Sequence, residues 1–303
     1  MKKIRNKYVF TMIMLICLLF CGIRLTNIYV NHERENEKKE YVVVTSFYPM
    51  YVAAMNVIGD SKDVTLKNLS EPQTGCLHDY QLTPQDMRLL SGADVFIVNG
   101  GGIESFLDDV AKQYDTLAII NTSEKIAMLE DNAHVWMNVS DYEIQVQTIA
   151  EKLGELMPTE AKQFTENASA YLTKLDVLEQ EINELKLVTE GQNIVIFHEA
   201  YDYVADELGM QVSIVMDLDE ERQVSAGEVA EVMQVIESDK VSVVLAEELY
   251  GKDMGDTVEK ETDAKVIYLD TLVRGDGAMD SYLHGMEQNI AKLKEAFGYE
   301  ENH

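Results

Sequence analysis

Of the six histidines in this 303-residue chain, three can do chemistry together. His78, His134 and His198 fall in loops or strand ends near the carboxyl edges of candidate β-strands, where open α/β sheets gather ligands. Asp270 ends a further candidate strand in the same way. Singly, each has a plain structural reading: His78 as an exposed loop residue, His134 as a partner for Trp136, His198 as a capped histidine at a strand end, Asp270 as a turn residue. Together they offer three imidazole nitrogens and one carboxylate oxygen. That is a closed tetrahedral shell of borderline hardness, which suits Zn2+ at about 2.0–2.2 Å. His32 lies in a charged run and His303 at the terminus. His284 falls off the apolar stripe Tyr282, Met286, Ile290, Leu293, Phe297 and is expected to face solvent.

Other chemistries have no comparable support. Asn99-Gly100-Gly101-Gly102 is a turn without dinucleotide spacing, and no phosphate loop, Gly-x-Ser-x-Gly elbow, His-Glu-x-x-His or repeated Cys-x-x-Cys occurs. A formal charge of -29, from 54 acidic and 25 basic residues, excludes a nucleic-acid partner, which needs a basic face. The acidity otherwise speaks to solubility and cation steering. Beyond the first forty residues Cys76 stands alone, so no intramolecular disulfide can form in the folded part. It lies two residues before His78 and is read as a spectator thiol, because Asp270 already supplies a fourth donor.

The elements that must position these residues follow from pattern. Short β-branched runs alternate with helical periods, which predicts an α/β fold of two lobes, each with a mostly parallel sheet of about four strands flanked by helices. The strands are expected at 41–47, 64–69, 94–98 and 117–120 in the first half, and at 193–197, 211–215, 242–246 and 265–269 in the second. Thr83 before Pro84, Ser140-x-x-Glu143 and Ser225-x-x-Glu228 read as helix starts. Residues 159–188 read as one unbroken helix of about 45 Å. Its stripe Phe164, Ala168, Tyr171, Leu175, Leu178, Ile182, Leu185 is widened by Leu172 and Val177. A coiled-coil dimer is the alternative, and a backbone helix packed along both lobes the preferred reading. The domains expected are 1–40 as signal or anchor plus spacer, 41–157 as the N-terminal lobe, 158–188 as the connecting helix and 189–303 as the C-terminal lobe, with the site in the cleft.

At the N-terminus Lys2, Lys3, Arg5 and Lys7 precede an apolar run from Tyr8 to Ile23, the n-region and h-region of a secretory signal. Cys21 stands where a bacterial lipoprotein signal holds its lipidated cysteine, although Phe20 is larger than the usual residue before it. The competing reading is an uncleaved anchor extended towards Val30 with Arg24 snorkelling. Either keeps the protein on the outer face of a bacterial cell membrane, with residues 31–40 as a charged spacer.

The chain from about Val42 to Phe297 resembles the metal-specific substrate-binding proteins of ATP-binding-cassette importers, the zinc and manganese group. The segments that carry the likeness are His78-Asp79-Tyr80-Gln81-Leu82-Thr83-Pro84-Gln85-Asp86-Met87, Asp131-Asn132-Ala133-His134-Val135-Trp136, Phe197-His198-Glu199-Ala200-Tyr201-Asp202-Tyr203 and Tyr268-Leu269-Asp270-Thr271-Leu272. In that group a histidine at the position of His198 looks like the zinc branch, whereas the manganese branch often carries glutamate, and Glu199 adjoins it. The resemblance implies His78, His134, His198 and Asp270 as ligands, Zn2+ as transported ligand with Mn2+ as the alternative, and a membrane permease as partner. A monomer without enzymatic activity is expected. A zinc-dependent hydrolase with Glu199 as base, or a surface adhesin with a structural metal, are the rival readings. The long His-rich acidic loop of many zinc members is absent.

Overall fold

The computed structural model describes residues 40–70, 77, 80–218 and 224–299, together with positions 14, 22 and 24. His78, Cys76, Cys21, His32 and His303, and nearly all of the signal or anchor segment, lie outside the described residues. Two compact units are present, residues 1–40 and residues 41–303. Among the described residues no helix is long and apolar enough to cross a membrane.

The larger unit holds two sheets of four strands. The first comprises β1 (Tyr41–Thr45), β2 (Val64–Asn68), β3 (Val95–Val98) and β4 (Ala118–Asn121) in the order β2-β1-β3-β4. The second comprises β5 (Asn193–Ile196), β6 (Gln211–Val215), β7 (Val243–Ala246) and β8 (Lys265–Tyr268) in the order β6-β5-β7-β8. Every pairing is parallel. Parallel strands need crossovers, and these are the helices α1 (Tyr48–Ile58), α2 (Pro84–Ser91), α3 (Leu107–Gln113), α6 (Tyr201–Glu207), α7 (Ala226–Ser238) and α8 (Glu248–Glu261). The central strands β3 (VFIV) and β7 (VVLA) are buried throughout, as expected of strands covered on both faces.

Two helix starts behave as read. Thr83 caps α2 in a capping box with Asp86, and Ser225 caps α7 in one with Glu228. The expected cap at Ser140 is corrected. Helix α4 (Val139–Leu156) begins two residues earlier, with Asn138 as its cap accepting from the Asp141 amide. The Ser140 hydroxyl instead donates to Glu179 Oε1 at 2.9 Å.

Between the sheets runs α5 (Ala161–Thr189), 29 residues without interruption. All seven residues of its apolar stripe are buried, packed with α1, α4 and the last helix α9 (Ser281–Ala296) of the same chain. The stripe is therefore filled intramolecularly, which removes the seam a coiled-coil dimer would use. Val177 does not widen it, being 53% exposed. Stacking of Tyr142 (α4) on Tyr282 (α9), with ring centroids 3.7 Å apart, joins the two lobes through the same core.

Candidate metal centre

His134 stands at the end of the loop after β4, just before a single 3-10 turn at Val135–Met137, and is fully buried. Its ring is held by its own neighbour. Nδ1 lies 2.9 Å from Asn132 Oδ1, which also accepts the His134 amide at 3.0 Å. The other end of that side chain donates to the Glu199 carbonyl at 2.8 Å and to Asp202 Oδ2 at 3.3 Å, so the amide can face only one way. An amide oxygen only accepts, so Nδ1 carries a proton, and in the neutral imidazole the lone pair is then on Nε2. Burial, ahead of the like charges of Glu130 and Asp217, pushes the Asp202 carboxyl up, while its bond from Asn132 pulls the other way.

The backbone around His134 is pinned from both lobes. Asn99, after β3, donates to the Ala133 carbonyl at 2.9 Å, and Tyr203 on α6 donates to the Asn132 carbonyl at 2.7 Å. Gly101, at φ +68, lets the turn approach closely: a Cβ there would stand 2.6 Å from Met128 Cε and 3.1 Å from Ala133 Cβ. Trp136 donates its indole N–H to the Thr271 carbonyl at 2.9 Å, and Tyr282 donates to the Trp136 carbonyl at 2.8 Å.

In the second lobe His198 follows β5 and is buried, its ring edge-on to that of His134 with centroids 5.0 Å apart. Asp270 follows β8 and is exposed. Its Oδ1 accepts the Leu272 amide at 2.8 Å, and Asn289 on α9 bonds both its amide and its carbonyl at 2.8 Å. Leu272 is held at φ +61, a strained conformation for a branched side chain, and is buried. The Tyr201 hydroxyl donates to the carbonyls of Ala246 (3.2 Å) and Leu269 (2.8 Å), the residues before Glu247 and Asp270. Burial first, then the nearby charges of Glu247 and Asp270, push that phenol well up, so it stays a donor.

The structure thus brings His134 and His198 into ring contact and sets Asp270 at a strand end in the same sheet as His198. His78 lies outside the described residues; its flank Leu77 is buried and accepts the Tyr80 amide at 3.0 Å. Two carboxylates join the picture. Glu199 Oε1 stands 3.5 Å from His134 Nδ1, and Glu247 Oε2 stands 3.6 Å from His198 Nδ1. Glu199 was in view from its position beside His198. Asn132 and Glu247 were not singled out from sequence, although an Asn two residues before a histidine is itself an Asx-turn signal.

Residues 43–296 match the family described as zinc-uptake complex component A, periplasmic. The manganese-binding lipoprotein MntA of Halalkalibacterium halodurans is 27% identical over 303 residues, covering 96% of this chain and 97% of that one. The high-affinity zinc uptake system protein ZnuA of Bacillus subtilis is 25% identical over 283 residues, covering 84% and 86%. A solved structure of the substrate-binding protein FpvC of Pseudomonas aeruginosa in complex with Mn2+ shares the fold with a TM-score of 0.77 and 25% identity, over 86% of this chain and 99% of that one. With the match running from β1 to the end of α9 across both sheets, the chain belongs to the periplasmic zinc-uptake component A family.

Proposed function

We propose that this chain is an extracytoplasmic binding protein that takes up Zn2+ between its two lobes and delivers it to an ATP-binding-cassette importer, with His78, His134, His198 and Asp270 as ligands. The observation that carries the reading is the His134–His198 pair. Two imidazoles on one tetrahedral ion, bound at about 2.0–2.1 Å, hold their ring centres about 5 Å apart. Here they stand at 5.0 Å, and the Asn132 acceptor at Nδ1 makes Nε2 the donor atom of the neutral His134 ring. Four protein donors leave no position for a reactive water, so the site is one for carriage rather than hydrolysis.

Mn2+ is the second reading. Glu199 adjoins His198 in the ligand segment and would supply an oxygen donor there, and harder, oxygen-rich sites suit manganese. Residues 1–40 act as the membrane tether and spacer in this reading, residues 41–157 and 189–303 as the two lobes and residues 158–188 as their connector, in a monomer held at the outer face of the membrane.

Elemental analysis of protein purified without added metal, followed by Zn2+ and Mn2+ competition, tests the proposal. Co-purified zinc at one ion per chain, lost in the alanine variants of His134 and His198, is the expected result. Binding undiminished in both variants would remove the site.

A further inference from the structure

The three adjacent strands β5, β7 and β8 are each followed within two residues by a residue of interest: His198, Glu247 and Asp270. Between β5 and β7 the strand order reverses, with β6 on one side and β8 on the other, and such switch points open the crevice in which α/β sheets hold ligands. Glu247 sits at that point. Its Oε2 is 3.6 Å from His198 Nδ1, its Oε1 accepts from the Thr271 hydroxyl at 3.4 Å, and its side chain is only 14% exposed. Tyr201, whose ring stands edge-on to His198, pins the residue before Glu247 and the residue before Asp270 with one hydroxyl.

We infer that Glu247 is a positioning residue of the metal site, the carboxylate that holds the proton of His198 on Nδ1, presents its Nε2 to the ion and ties the ring to the Asp270 loop through Thr271. The inference rests on the metal-site reading above. Its physical basis is general: a ligating histidine gives its second ring nitrogen to a carboxylate or carbonyl, which fixes the tautomer and raises the basicity of the other nitrogen. Asn132 performs that task for His134 through a 2.9 Å hydrogen bond; Glu247 faces the corresponding nitrogen of His198 at 3.6 Å, an ion-pair distance at which its charge favours the proton on that side.

The test uses the metal-free, 15N-labelled full chain above about pH 7.5, where an unperturbed imidazole is neutral. Long-range 1H–15N spectra report the tautomer, with His198→Ala assigning the signals. The parent should show His198 protonated at Nδ1. Glu247→Ala should shift it towards Nε2–H and weaken Zn2+ binding about 10–100-fold. Glu247→Gln, whose amide oxygen still accepts, should keep the tautomer and most of the affinity. Thr271→Val, which leaves Glu247 in place but removes its tether, should move both readouts the same way by less, and it serves if Glu247→Ala does not fold. A tautomer indifferent to Glu247→Ala, or equal loss of affinity in the Gln and Ala variants, overturns the assignment. If the parent binds neither Zn2+ nor Mn2+, the transport reading fails and this role with it, whereas a parent that binds zinc with a tautomer indifferent to Glu247→Ala sinks this inference alone.

Discussion

The carboxylate of Glu207, the last residue of α6, accepts the amide of Val139, the first residue of α4, at 3.1 and 3.3 Å to its two oxygens, and that of Ser140 at 3.4 Å. A side chain from the His198 segment therefore caps the helix that begins just after His134. The first amides of a helix are otherwise without acceptors. This bond is one of those that join the two lobes beside the His134 segment.

This junction has a pH signature. Burial first, and then the like charges of Asp141 and Glu179, push the Glu207 carboxyl up to about 8, against the pull of the two amides. Burial likewise pushes Glu143 up to about 7 and Asp141 up to about 6. Carboxyls with raised folded-state values bind more protons native than unfolded, so their contribution is complete below the unfolded value and lost as pH rises through the folded one. Metal-free protein should melt progressively lower from about pH 5 to pH 8, and Glu207→Gln should remove part of the alkaline decline. A melting temperature that rises steadily across this range would contradict the expectation.

Zinc adds the opposite slope. Protons compete with the ion for imidazoles of unperturbed pKa near 6.5, so affinity should fall steeply below neutrality. At about 100 times the dissociation constant bound zinc adds roughly 2.7 kcal/mol, and that increment should shrink on acidification. Melting series with and without zinc, run between about pH 5.5 and 8, should therefore converge at the acid end. Parallel curves at subsaturating metal would point to carboxylate or thiolate ligands instead.

Asn132→Ala removes the acceptor that fixes the His134 tautomer and the donor to the Glu199 carbonyl. Zinc affinity should drop by about 10–100-fold, the usual effect of losing such a partner. Asn132→Asp, which keeps an acceptor for His134 Nδ1, should lie between. Competition against a chromophoric chelator measures both, and parent-like binding by the alanine variant would rule out this role.

Trp136→Phe deletes a buried indole N–H that bonds the Thr271 carbonyl next to Asp270. Leaving that acceptor buried without its donor should cost about 1–3 kcal/mol in urea unfolding. The Asp270 loop should also become more accessible to hydrogen exchange, and unchanged exchange at residues 270–272 would show that the indole does not hold it.

At the N-terminus the chain is expected to partition with membranes. Mass spectrometry of the first peptide identifies the tether: a diacylglyceryl group on Cys21 marks a lipoprotein, and an intact peptide through Arg24 marks an anchor. Cys21→Ser should release the protein only in the first case.

The strands were legible because β-branched runs ended by polar residues and helix signals admit few alternatives, and the strand starts agree to within one residue. The start of α4 was not, for Asn138-x-x-Asp141 and Ser140-x-x-Glu143 overlap, and Glu207 from the other lobe occupies the Ser140 amide. Local sequence cannot decide a choice made across a domain junction. Glu247 was invisible for another reason: among 54 acidic residues its type carries no signal, and only strand order puts it beside His198. Val177 shows the converse, an apolar residue at a plausible spacing that the helix leaves in water at 53% exposure, as isolated apolar residues often are.

The two sheets share one strand order, so the molecule contains its own internal control. At the crossing between β1 and β3 an acid also sits beyond the strand ends: Glu104, fully enclosed and saturated by the Ser46 hydroxyl at 2.7 Å and the amides of Asn99 and Gly100 at 2.8 and 3.0 Å. At the matching crossing between β5 and β7 the acid is Glu247, facing an imidazole. The same architecture is sealed around its acid at one crossing and sets the acid against an imidazole at the other, an asymmetry carried by two glutamates and not by any difference in strand order.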